Sequence, residues 1–270
     1  MPATDAPAPP APLGADPRWG ALRSIGALML REMSMTYGRS AGGYAWAILQ
    51  PVGVLAVLTI GFSLLVRTPP LGTTFVLFYA TGYLPFQMYS NMQGISQGAL
   101  RYSRSLLAYP RVSWIDAVIA RAALGIITGA TVFVIIIAGI FAVFHPRSTV
   151  DVGPVLTGFG ICVVIGLGVG MVNCWLIARF PIWQQLWGIV SRPLFLASGL
   201  FYIYEDLSRG AQSILGWNPL FHATSLVRSG FYSTYEASWA SPAYAFGVGM
   251  ALVAAGLGLL RAGHTDVLQS

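Results

Sequence analysis

The stretch VGPVLTGFGICVVIGLGVGMVNCWLIA, residues 152–178, contains no Asp, Glu, Lys, Arg or His. An apolar run of that length exceeds the ~20 residues that carry a helix across a bilayer. Its neighbour IDAVIARAALGIITGATVFVIIIAGIFAVF, residues 115–144, holds only Asp116 and Arg121, both near its start. That run is longer than one crossing requires, which predicts tilt or a start in the interface. Four more apolar segments flank this pair, at approximately 44–66, 75–98, 187–204 and 243–261. Together they predict an all-α polytopic membrane protein of six transmembrane helices. Composition agrees: of 270 residues, 56% are hydrophobic and only 9% charged, with a mean hydropathy of +0.68. A soluble protein carries about 25% charged residues. Little length remains for a large soluble catalytic domain.

Outside the spans the texture changes. Residues 1–18 are rich in Pro and Ala, lack the apolar core of a signal peptide, and read as a disordered cytoplasmic tail. Residues 19–43 place Leu22, Ile25, Leu28, Met29 and Met33 at helical spacing among Arg23, Arg31, Glu32 and Arg39. That pattern predicts an amphipathic helix in the membrane interface. Pro51, Pro85 and Pro193 sit in or near spans, where neighbouring helices re-satisfy the freed carbonyls. Residues 205–242 are too polar for a plain span and too apolar for a solvated loop, and Asn218-Pro219 breaks them. They read as re-entrant or interfacial helices at the outer face; an aromatic interface belt accounts for the same Trp and Tyr residues. The final residues, 262–270, read as a cytoplasmic tail.

Arginine placement orients the chain. With the N-terminus inside, nine Arg fall in cytoplasmic segments and four, Arg67, Arg147, Arg209 and Arg228, outside. The positive-inside rule then puts both termini in the cytoplasm.

All fifteen basic residues are Arg. Without Lys there is no Walker A phosphate loop and no Schiff-base chemistry, so any ATP that drives this chain is hydrolysed on another one. Ion-coupled transporters place acids within their helices, yet the one acid inside a predicted span is Asp116, at its edge. His145, His222 and His264 are scattered, and Cys162 and Cys174, ~18 Å apart along one helix, read as small buried side chains. Neither a catalytic nor a metal-ligating constellation emerges. The chain reads as a conduit.

Several stretches resemble the membrane (permease) subunit of ABC-type exporters of bacterial capsular polysaccharide. They are LMLREMSMTYGRSAGGYAWAILQP (28–51), RSLLAYPRVSWIDAVIARAAL (104–124), RFPIWQQLWGIVSRPLFLASGLFYIYEDL (179–207) and WNPLFHATSLVRSGFYSTY (217–235). The Asn-Pro-Leu-x-His element and the Arg-x-Gly-Phe-Tyr-x-x-Tyr run are the most distinctive pieces. O-antigen exporters often carry Arg-Asp where this chain has Phe180-Pro181, which favours capsule. An O-antigen or teichoic acid permease, or a small-amphiphile or drug exporter, is the alternative. The resemblance implies a half-transporter in the bacterial inner membrane. A second copy of itself and two copies of a nucleotide-binding ATPase subunit, which hold the ATP and Mg, would complete it. Its further partners would be a periplasmic polysaccharide co-polymerase and an outer-membrane exporter. The substrate would be a lipid-anchored acidic polysaccharide, with no nucleic acid involved and no cofactor on this chain.

The same resemblance assigns the cytoplasmic turn 100–113 to coupling. There Arg101, Tyr102, Arg104, Leu106, Leu107, Tyr109 and Arg111 supply apolar anchors with a charged rim, the requirements of helix-in-groove docking on the ATPase. The same Arg residues also serve as topology determinants. A polymer path needs surfaces that hold sugars and still let them slide, and aromatic faces suit both. Tyr37, Tyr44, Trp46, Trp183 and Trp187, with Arg39, are candidates near the cytoplasmic mouth. Tyr83, Phe86, Tyr89, Phe195, Phe201, Tyr202 and Tyr204 are candidates deeper or further out. For any single aromatic of either group, core or lipid-facing packing is a better account than sugar contact, and the signal lies in the set. Arg192 lies ~12 Å into the fifth span, where a charge should face a partner or a polar cavity. Its guanidinium matches carboxylate or phosphate. Arg121 is at similar depth, with snorkelling or a pair with Asp116 as its other reading.

Overall fold

The computed structural model describes residues 26, 28–30, 33, 43–107, 114–146 and 148–269, with backbone alone at 43–44, 99–107, 114, 117 and 263–269. The described residues are helical or irregular, with no strand among them. In chain order the helices are α1 (Gly43–Ser63), α2 (Phe75–Leu107), α3 (Trp114–Phe144), α4 (Val152–Arg179), α5 (Trp183–Ala197), α6 (Arg209–Leu215), α7 (Pro219–Phe231) and α8 (Pro242–Gln269). A 3₁₀ turn, Tyr204–Asp206, separates α5 from α6. The fold is all-α and multi-pass.

Four of these helices are long and apolar enough to cross a membrane: Ala45–Ser63, Val118–Phe144, Val152–Arg179 and Pro242–Ala262. The other two expected spans differ from expectation, each for a physical reason. Helix α2 is 33 residues long, ~50 Å at 1.5 Å per residue, and so runs on into the expected coupling turn. It is less apolar because Gln87, Ser90, Asn91, Gln93, Ser96 and Gln97 interrupt it. The fifth segment, expected over 187–204, is helical from Trp183 and stops at Ala197. Its 15 residues reach only ~22 Å, short of a ~30 Å hydrocarbon core. The break is at Gly199, whose φ of +74° is a left-handed conformation that a side chain disfavours. Residues 198–203 then continue without helix. At the C-terminal end, α8 continues to Gln269, where a tail was expected from 262. The expected interface helix 19–43 lies almost entirely outside the described residues, as do 1–18.

Helix α4 is the axis of the bundle. It packs most extensively on α8, then on α2 and α7, and small residues permit that closeness, as in other membrane helix pairs. A Cβ on Gly166 would lie 2.7 Å from the Tyr89 carbonyl oxygen of α2, and one on Gly168 2.6 Å from Leu252 Cβ of α8. One on Gly158 would lie 2.6 Å from the Ala223 carbonyl oxygen of α7. The backbone N–H of Asp151, which caps α4, donates to the Gly230 carbonyl at 2.7 Å and ties the start of α4 to the end of α7. Cys162 and Cys174 are both buried in this helix.

Candidate functional site

Helix α7 lies within 205–242, between two spans, and five of its 13 residues are polar or charged: His222, Thr224, Ser225, Arg228 and Ser229. It begins where Asn218 accepts from the Leu220 N–H at 3.0 Å, with Pro219 in the first turn. That is the favoured chemistry for a helix start. The Asn218 Nδ2 also donates to the carbonyl of Ala197 at 2.9 Å, so one side chain caps α7 and holds the end of α5. Yet His222, Thr224, Ser225 and Arg228 are all buried, Arg228 completely.

Arg228 makes its hydrogen bonds to backbone. Its guanidinium donates to the carbonyls of Tyr202 at 2.7 Å and Leu200 at 2.9 Å, and stands 4.2 Å from the centre of the Phe78 ring. Both carbonyls belong to the non-helical stretch after Gly199. Irregular backbone at membrane depth survives only where protein satisfies it, and here Arg228 does so. A guanidinium is always protonated, carries five donors and stacks on aromatic faces, which suits all three contacts. Phe231, Tyr232 and Tyr235 of the same run are also buried.

His222 joins three segments. Its Nδ1 accepts from the Ser241 N–H at 3.1 Å, so the proton sits on Nε2, which donates to the Gly216 carbonyl at 2.8 Å. The ring also meets Trp239 at 4.6 Å and Tyr244 at 5.2 Å. Burial holds its pKa below the ordinary histidine value, and the Gly216 carbonyl offsets part of that. The sign follows from linkage. Above about pH 6.5 folded and unfolded rings are both neutral. As pH falls through that value, only the unfolded ring takes up a proton. The melting temperature of the detergent-solubilised protein should therefore fall between pH 7 and 5. In His222→Gln the fall should be shallower; parallel curves for the two proteins would contradict this.

The expected path residues divide by environment. Trp46 is exposed on α1; the side chain of Tyr44 is not described, and Tyr37 and Arg39 lie outside the described residues. Tyr83 and Tyr89 are buried in α2. Phe86 meets Tyr89 at 5.6 Å and Phe195 at 5.1 Å, and Phe195 meets Phe201 at 5.9 Å, so this chain of rings joins α2 to α5. Tyr202 stands edge-on to Phe221 at 5.7 Å, and its hydroxyl donates to the Leu196 carbonyl at 2.8 Å. Tyr204 stacks on Trp239 at 4.0 Å. At the other end of α5, the Trp183 Nε1–H donates to Asn173 at 2.9 Å, and Trp187 is half-buried. Arg121 donates to the Gly98 carbonyl at 3.4 Å. Arg192 is exposed on α5, a helix that buries none of its residues. Of the expected coupling residues, Arg101, Tyr102, Arg104, Leu106 and Leu107 are on the last turns of α2; Tyr109 and Arg111 lie outside the described residues.

Sequence reasoning singled out the Asn-Pro-Leu-x-His and Arg-x-Gly-Phe-Tyr-x-x-Tyr elements but gave Asn218, His222 and Arg228 no role. The available signal was the polar content of a segment too apolar to be a solvated loop.

Comparison with known proteins places this architecture. The chain is 26% identical to the polysialic acid transport protein KpsM of Escherichia coli over 92% of its own length and 96% of that protein's. It is 25% identical to the capsule polysaccharide export inner-membrane protein BexB of Haemophilus influenzae, over 88% and 90%. With the capsule polysaccharide export inner-membrane protein CtrC of Neisseria meningitidis the identity is 28%, over 80% and 83%. The family model for ABC-2 type transporters matches residues 23–232. A helical bundle with several membrane-crossing helices, matched over most of its length by that model, belongs to the ABC-2 type transporter family.

Proposed function

We propose that this chain is the permease subunit of an ATP-driven exporter that moves lipid-anchored capsular polysaccharide from the cytoplasm to the periplasm across the inner membrane. The observation that carries this reading is the near full-length similarity to transport proteins named for capsule polysaccharide and polysialic acid. In this reading the chain crosses the membrane six times, with both termini in the cytoplasm. Helices α2 and α5, the latter with its extended continuation, complete the count. Two copies pair, and two ATPase subunits supply ATP and Mg from below. A periplasmic co-polymerase and an outer-membrane exporter receive the polymer.

Helix α5 supports the pairing. It buries no residue of its own, and Arg192 projects from it with no hydrogen bond or ion pair among the described residues. A cation at that depth is costly against lipid and belongs against a partner or in a polar cavity. A conduit between two copies, carrying an acidic polymer, provides both. Trp187, on the same helix, and Trp46, on α1, supply aromatic faces near its inner mouth.

The coupling turn tests the reading. In the reconstituted complex, Leu106→Asp and Tyr109→Ala should leave ATP hydrolysis running while polymer export falls by about tenfold or more, as for loss of a hot-spot anchor. Membrane topology should be unchanged. Wild-type export in both variants would overturn the assignment.

A further inference from the structure

Helix α5 fully buries none of its residues; apart from Leu194 and Phe195 near its last turn, which pack partly on the core, its place in the protein is set from its ends. At the first end a side-chain bond from Trp183 to Asn173 holds it. At the other it runs through Gly199 into residues 198–203, and that stretch is anchored: Leu200 is 1% exposed and Ile203 is buried. The anchor is polar. Arg228 reaches across from α7 to the Leu200 and Tyr202 carbonyls, while Phe78 of α2 covers its guanidinium. Gly82 of α2 keeps the space for that side chain open, since a Cβ there would lie 3.0 Å from the Arg228 Nη2 and 3.2 Å from the Leu200 Cα.

An uncompensated buried cation is expensive. The two hydrogen bonds that offset the cost here both go to backbone just beyond α5. We propose that Arg228 is a positioning residue for the export path: by holding the Leu200 and Tyr202 carbonyls, it fixes where α5 stands, and with it Trp187 and Arg192. This rests on the reading of α5 as a wall of that path. A residue that only stabilised the bundle would act on all helices alike. Arg228 should act on one.

Hydrogen exchange of the full chain in lipid nanodiscs separates these cases, whatever the chain transports. In Arg228→Gln, amide exchange across 183–203 should rise about tenfold or more, the size set by losing a charge-assisted hydrogen bond. Exchange in α4 and α8 should stay at the wild-type rate. Arg228→Lys, which keeps the charge but not the two-pronged fork, should show the same local pattern at smaller amplitude. If the Gln variant does not accumulate, the Lys variant carries the test. Exchange that rises uniformly, or does not rise in 183–203, would overturn the proposal. Surface polysaccharide measured in the same variants should fall with the local rise. A local rise with normal surface polymer would overturn the link to the path, and leave the assignment of the chain as an exporter standing.

Discussion

Gly170→Leu is expected to abolish accumulation of the folded protein. A Cβ at this position would lie 2.5 Å from both the Gln93 carbonyl oxygen and Ser96 Cβ, and 3.1 Å from Gln93 Cα. Two of those atoms are α2 backbone, so the conflict cannot be relieved by a rotamer change; α2 must move away from α4. Overpacking by a methyl or two in a rigid core costs about 1–3 kcal/mol. A leucine adds three further carbons beyond that first clash, against a total stability of about 5–15 kcal/mol. Gly170→Ala should survive with a lowered melting temperature, and Gly170→Leu should yield no monodisperse detergent-extracted protein on size exclusion. Gly258→Ala, on α8 with open space around it, is the matched control and should behave as wild type. A well-folded Gly170→Leu protein would mean that α2 and α4 do not pack as described.

The second large effect is expected at Gly199. Its φ of +74° costs a non-glycine residue about 1–2 kcal/mol. A Cβ there would also fall 2.2 Å from Phe221 Cε2. Phe221 is fully buried, with Tyr202, Tyr204 and Trp239 around its ring at 5.0–6.0 Å, so it has nowhere to retreat. Gly199→Val should combine backbone strain with about 1–3 kcal/mol of overpacking, and should lower the melting temperature sharply or prevent folding. Gly53→Ala and Gly61→Ala, in the interior of α1 with nothing within 4 Å, should be neutral or gain up to ~1 kcal/mol of helix propensity. Wild-type melting of Gly199→Val would place the end of α5 elsewhere.

These two glycines also mark how far the sequence could be read. Segments 115–144 and 152–178 correspond to α3 (Trp114–Phe144) and α4 (Val152–Arg179) almost to the residue. An uninterrupted apolar run has only a helical solution in a bilayer, so its ends are visible in composition. The end of α5 was not visible. Leu200, Phe201 and Tyr202 continue the apolar run, and the break at Gly199 is stabilised by Arg228, which bonds to carbonyls 26 and 28 residues away from it. A local window cannot register a partner at that distance. For the same reason Arg228 counted as one more outer-face arginine, although it is the most buried charge among the described residues. The aromatic candidates divided in a way that spacing does not reveal: Tyr89 is covered by its neighbours, while Trp46 is exposed. Helical period assigns a face to each, and only packing says what occupies that face.

The reading of this chain as an exporter of capsular polysaccharide is tested most directly by the location of the polymer. The gene would be deleted in its host, and capsule polysaccharide quantified at the cell surface and in the cytoplasm. The expected result is a bare surface with polymer accumulated inside. Export should return with the wild-type gene and not with one encoding the Leu106→Asp coupling variant. A normal surface capsule with no internal polymer would contradict the account.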